Sequence, residues 1–162
     1  MKITIKKGSI TTVEADAIVN PTNMAGSVEC SISGHIKKIG GDEIEDEAIQ
    51  QAPINIGDAV VTSPGILKVK KIIHVPTVEE PSGKTDEHKL KCAVEAALEK
   101  AEEKGYDLIA MPGMGIGTEG LSFKAAAKVM IDTIKGFKAE HLKEVILIDM
   151  NQEMVDRWNE CL

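Results

Sequence analysis

The run Gly113-Met114-Gly115-Ile116-Gly117-Thr118-Glu119-Gly120 stands between an apolar stretch, Asp107 to Met111, and a stretch of helical periodicity that opens at Ser122. Glycines let a backbone approach a ligand closely and turn its N–H groups inward, and the following helix adds the positive end of its dipole. Together they suit a phosphate or diphosphate. A second candidate is Asn20-Pro21-Thr22-Asn23, directly after the apolar strand Ala17 to Val19. Amide side chains at a strand end donate and accept at once, as ribose hydroxyls require, while Asn and Pro are also ordinary turn residues.

Other patterns carry less. Gly115 to Gly120 also spells G-x-G-x-x-G, but the match lies late in the chain and no acidic residue closes a strand about 20 residues further on; Asp149 comes too late. Ser82-Gly83-Lys84-Thr85 ends like a phosphate-binding P-loop, yet Val78 stands where the first glycine is required, so the segment reads as a helix-cap turn. His35, His74, His88 and His141 show no metal-ligand spacing and read as structural or exposed residues, so no metal and no cofactor is expected. Cys30 beside Glu29 makes a poor nucleophile, because a neighbouring carboxylate disfavours the thiolate.

Placing these residues requires a particular order of elements. Ile3 to Ile10 alternates and turns at Gly8-Ser9; helices are expected between Ser31 and Gln51, broken at Gly40-Gly41, with the acidic run Asp42 to Glu47 at a helix start. Strands follow at Ala59 to Thr62 and Lys71 to Val75. Thr85 is expected to cap a long helix that buries Leu90, Ala93, Val94, Ala97, Leu98 and Ala101 and stops at Gly105. After the glycine loop, the helix from Ser122 should bury Phe123, Ala126, Ala127, Met130, Ile134 and Phe137. Lys143 to Asp149 gives a last strand and Gln152 to Cys161 a last helix. This order predicts an α/β architecture, a mixed sheet with helices on both faces, and a length of 162 residues fits one domain spanning 1–162.

A formal charge of -7 and only 2% aromatic residues argue against gripping long nucleic acid or stacking bases on an aromatic platform. An acidic chain can still hold a small anion through backbone N–H groups. Cys30, Cys92 and Cys161 are odd in number and widely spaced, and no stretch has the length of a membrane span or a signal segment, so a cytoplasmic protein is expected.

With both loops in view the chain resembles the macro domain family. The resemblance runs through Gly8-Ser9-Ile10-Thr11, Asp16 to Asn23, Ile36 to Gly41, Gly57 to Thr62, Ile72 to Thr77 and Met111 to Leu121. It implies a three-layer α/β/α sandwich around a mixed sheet of about six strands, with a cleft for ADP-ribose. By resemblance, Gly115, Ile116, Gly117, Thr118 and Glu119 hold the diphosphate, Asn20 and Asn23 stand by the distal ribose, and Ile10 flanks the adenine. Ser9, Ser31, Ile32, Met150 and Asn151 complete the expected ligand-binding set.

The chain departs from the family pattern in four places. Ser9 stands where an Asp commonly reads the adenine amino group, and Met150 replaces an aromatic wall. Glu29-Cys30-Ser31 replaces a run of glycines; a residue there at positive φ costs about 1 to 2 kcal/mol. Ser33 occupies the place of an Asp found in hydrolytic members. Three readings follow: a binding module for ADP-ribose or a related nucleotide, with an ADP-ribosylated protein as a further partner; a hydrolase of ADP-ribosyl or acyl-ADP-ribose bonds in which Asn23 positions the attacking water; and a domain repurposed for another ligand or partner.

Overall fold

Alternating and apolar runs become strands here, and the 3.6-residue stripes become the helices that cover them. The computed structural model describes residues 1–28, 31–117 and 120–162. In chain order the elements are β1 (Lys2–Lys7), β2 (Ala17–Thr22), α1 (Ser31–Gly40), α2 (Glu43–Gln50), β3 (Val60–Thr62), β4 (Lys71–Pro76), α3 (Glu87–Lys104), β5 (Leu108–Met111), α4 (Phe123–Gly136), β6 (Glu144–Asp149) and α5 (Gln152–Cys161). The six strands form one sheet in the order β1-β6-β5-β2-β4-β3. All neighbours run parallel except β3, which is antiparallel to β4. The mixed six-stranded sheet and the α/β/α layering expected from the sequence are both present.

Successive residues of a strand serve opposite faces, as the two-residue period requires. Val19, Ile73, Ile109, Met111 and Leu147 pack with the apolar stripes of α3, α4 and α5. Ile18, Ile72, Ala110 and Ile146 pack on the other side with Ile36 of α1 and Ile44 of α2. Both faces are thus covered, which is why the middles of the inner strands, Ile18-Val19, Ile72-Ile73, Ile109-Ala110 and Val145 to Ile148, are apolar. Among the described residues, no helix is long and apolar enough to cross a membrane.

Local chemistry sets the helix ends. The cap of α3 is Asp86, whose carboxylate accepts from Lys89 N at 2.7 Å; the expected Thr85 instead aims its hydroxyl at Asp86 O. Gly105 ends that helix at φ 71°, a left-handed conformation that only glycine adopts without strain. Ser122 caps α4 by accepting from Ala125 N, and the stripe that α4 buries is Ala126, Ala127, Met130, Ile131 and Ile134. Phe123 and Phe137 are only half-buried at its two ends.

One boundary differs in a way that matters. Asn20, Pro21 and Thr22 belong to β2, whereas the sequence suggested a strand that stops at Val19. The pairing with β4 continues to Thr22↔Pro76, while the pairing with β5 ends at Ile18↔Ala110. Pro21 has no N–H to give and is tolerated where β2 has lost its β5 neighbour. That parting of β2 from β5 opens the crevice described next.

Candidate functional site

Loops leaving the carboxyl ends of β2 and β5 depart toward opposite faces of the sheet, the first to α1 and the second to α4. Adjacent parallel strands whose connections diverge leave a crevice at their carboxyl ends, the usual ligand position in open α/β sheets. The ends of β1 and β6 lie along the same edge.

The glycine loop is fixed by its own backbone. Leu121 N donates to Gly115 O at 2.7 Å and Gly120 N to Gly117 O at 3.0 Å, and Met114 is sunk in the core beneath them. Gly115 and Gly117 have φ of 74° and 131°, values that a side chain makes costly. A Cβ on Gly120 would lie 2.5 Å from Gly115 O, so that glycine is required for closure of the loop. A Cβ on Gly117 would meet nothing within 4 Å, so the loop leaves open space on that side. The α4 N-terminus follows directly, with no acidic residue in its first turn to offset the positive end of the dipole.

Beside the loop, a hollow of about 170 Å³ is lined by Gly8, Ser9, Ile10, Ile32, His35, Asp149 and Met150. Four residues expected from the sequence, Ser9, Ile10, Ile32 and Met150, meet here. Ile10 is buried, whereas Met150 is 68% exposed. Ser9 Oγ accepts from Thr11 N and shares a 2.7 Å hydrogen bond with Thr11 Oγ1, which shapes the turn after β1. Asp149 joins the hollow to the glycine loop: its Oδ2 accepts from Gly113 N and its Oδ1 from Asn151 N. Asn151 is spent locally, its Oδ1 capping α5 by accepting from Glu153 N and Met154 N.

The two asparagines, Asn20 in the last half of β2 and Asn23 just after it, are inside the protein. Asn20 is 3% exposed and donates through Nδ2 to His74 Nδ1 at 3.0 Å. His74 Nε2 lies 2.7 Å from Thr62 Oγ1, whose hydroxyl donates to Ser63 O. Those directions fix His74 as the neutral tautomer with its proton on Nε2. Burial agrees, pushing its pKa down to about 4. Asn20 Oδ1 has no hydrogen-bond partner among the described residues. Asn23 is fully buried, and its amide closes the turn: Oδ1 accepts from Ala25 N, and Nδ2 donates to Ser27 O and Ser27 Oγ.

Ser31 opens α1 with φ 68°, so one position of the replaced glycine run does hold a left-handed conformation. Its neighbours Glu29 and Cys30, and the loop residues Thr118 and Glu119, lie outside the described residues. His35 and Asp149 were not read as site residues from the sequence. The signal for His35 was its three-residue spacing from Ile32 on one helix face; Asp149 reaches Gly113 only through the adjacency of β5 and β6. Among the described residues, no cluster of three or more His, Cys, Asp or Glu is gathered that could hold a metal.

Known proteins share this framework. The sequence matches the macro domain over residues 19–130, a span from β2 to the buried stripe of α4. An uncharacterized protein of Aquifex aeolicus is 45% identical over 162 residues, covering 100% of this chain and 98% of that one. An uncharacterized protein of Aeropyrum pernix is 35% identical over 151 residues, covering 93% and 80%. Among solved structures, the Oceanobacillus iheyensis macrodomain with MES bound superposes with a TM-score of 0.86 at 22% identity, covering 96% of this chain and 87% of that chain. The Trypanosoma brucei macrodomain in complex with ADP-ribose gives 0.87 at 18% identity, covering 98% and 68%. With a family match that takes in the forked strands and the glycine loop alike, the chain belongs to the macro domain family.

Proposed function

We propose that the protein binds ADP-ribose or a closely related nucleotide diphosphate in the crevice between β2 and β5. The observation that carries this reading is the glycine loop. It is closed by Gly120, held at positive φ at Gly115 and Gly117, and open beside Gly117, at the N-terminus of a helix without early acidic residues. In this reading the diphosphate lies against residues 115–119. The base enters the hollow between Ile10, Ile32 and Met150, within reach of Ser9.

Asn20 and Asn23 enter as the frame of the crevice. Their burial and their bonds to His74 and to the 23–27 turn suit holding the wall better than touching a sugar. The same bonds weigh against Asn23 as the residue that positions an attacking water, so the binding reading is preferred to the hydrolytic one. As a reader, the protein would take an ADP-ribosylated protein as partner, with residues 1–162 acting as one unit. A cytoplasmic setting goes with this reading, and Cys92 and Cys161 are free thiols.

Calorimetric titration with ADP-ribose tests the proposal. Saturable heat that Gly117→Glu abolishes supports it. Heat no greater than that of a buffer blank would turn the reading toward a repurposed crevice.

A further inference from the structure

The polar groups around the 170 Å³ hollow are unequal in what they can offer a ligand. Ser9 Oγ is engaged with Thr11 N and Thr11 Oγ1. Asp149 has Gly113 N on one oxygen and Asn151 N on the other. His35 also lines the hollow, and among the described residues its imidazole has no hydrogen-bond partner. Ile32 and His35 are three positions apart on α1, so they present neighbouring side chains along one stripe of the helix. The apolar members Ile10, Ile32 and Met150 favour a flat, weakly hydrated group, and half-buried His35 stands among them with a polar ring that no described protein group engages.

We propose that His35 reads the polar edge of the nucleobase and is a specificity-determining residue of this site. The inference rests on the nucleotide reading above and deepens it. A neutral imidazole carries one donor and one acceptor. Its two nitrogens diverge, so it meets a purine edge through one of them at a time: as an acceptor from an amino group or a ring N–H, or as a donor to a ring nitrogen or an oxo group. An aspartate in such a place only accepts. The ligand class that follows is a purine nucleoside diphosphate sugar, with adenine and hypoxanthine bases held about equally.

The test compares the full-length wild type with His35→Ala and His35→Gln by calorimetry. Three ligands are used: ADP-ribose, its hypoxanthine counterpart, and ribose 5-diphosphate, which has no base. The wild type should bind the two purine ligands within about threefold of each other, and His35→Ala should weaken both about tenfold, the worth of one hydrogen bond. Ribose 5-diphosphate should bind wild type and His35→Ala alike, and His35→Gln, which also donates and accepts, should recover most of the loss. Equal affinity of His35→Ala for ADP-ribose, equal weakening of all three ligands, or failure of Gln to recover binding each overturns the role of His35 while leaving the nucleotide reading standing. A wild type that binds none of the three removes both.

Discussion

Asp149 Oδ2 accepts a hydrogen bond from Gly113 N at 3.0 Å, joining the end of β6 to the first residue of the glycine loop. The same residue takes Asn151 N on Oδ1 and Gly8 N on its backbone oxygen, so one side chain and one carbonyl tie three segments of the site together. A Cβ on Gly113 would come within 2.9 Å of Asp149 Oδ2, which shows how tightly the two are set. Asp149→Ala should therefore lose about 1 to 3 kcal/mol of stability by stranding Gly113 N and Asn151 N, and should weaken nucleotide binding at the loop and hollow together. Asp149→Asn keeps one oxygen and should fall between the two. Urea melts and calorimetry on the same samples check this, and an Ala variant as stable as wild type refutes it.

Gly117 and Gly120 should separate function from folding. Gly117→Glu sends a side chain into open space at φ 131°, costing about 1 to 2 kcal/mol of backbone strain while filling and negatively charging the ground proposed for the diphosphate. Binding should vanish with the far-UV circular dichroism unchanged. Gly120→Ala drives a Cβ toward Gly115 O and should lower the melting temperature more than Gly117→Glu does.

Replacing Asn23 with Ala removes the group that closes the 23–27 turn. The expected cost is about 2 kcal/mol, seen as a lower urea midpoint. Asp at this position keeps the acceptor for Ala25 N but loses the donor to Ser27 O, so it should rescue only in part.

His74 should give stability a slope with pH above the carboxylate range. Its folded pKa of about 4 lies below the ordinary 6.5, so between those values the unfolded chain holds a proton that the folded protein does not. Stability must then fall as pH drops from about 6.5 toward 4, by on the order of 3 kcal/mol in total. Urea unfolding at a series of pH values should show this slope in the wild type and lose it in His74→Gln; a slope that persists in the variant assigns it to other groups.

Ser31 holds φ 68° with a side chain that makes such a conformation costly. Ser31→Gly should stabilise the protein by about 1 kcal/mol. A destabilised Ser31→Gly, measured by thermal melts, would mean that its side chain contributes more than its backbone strain costs.

Much of the architecture was legible because its signals are local. Ser122 and Gly105 mark helix ends by bonds to residues within one turn, and the stripes of α3 and α4 follow from spacing alone. Choosing Asp86 over Thr85 as the cap needed only one residue of correction. The strand boundary at Asn20 was harder, because it depends on β4 continuing alongside while β5 stops, a fact held in residues more than fifty positions away. The glycine loop was recognisable in type and place. The roles of Asn20 and Asn23 were not, since a polar residue at a strand end reads the same whether it faces ligand or a buried His74. The hollow gathers residues from the turn after β1, from α1 and from the end of β6; the spacing of His35 from Ile32 hinted at one of them, but no spacing along one segment could have reported that Asp149 completes it.

The early parting of β2 from β5 leaves the sheet as two ribbons, β1-β6-β5 and β2-β4-β3, zipped at one end and splayed at the other. A guest seated in the splay would act as a rivet, bridging halves that the backbone ladder no longer joins. Its arrival should slow amide hydrogen exchange in the segments just past Ile18 and Ala110 on both ribbons at once, although the two belong to distant stretches of chain.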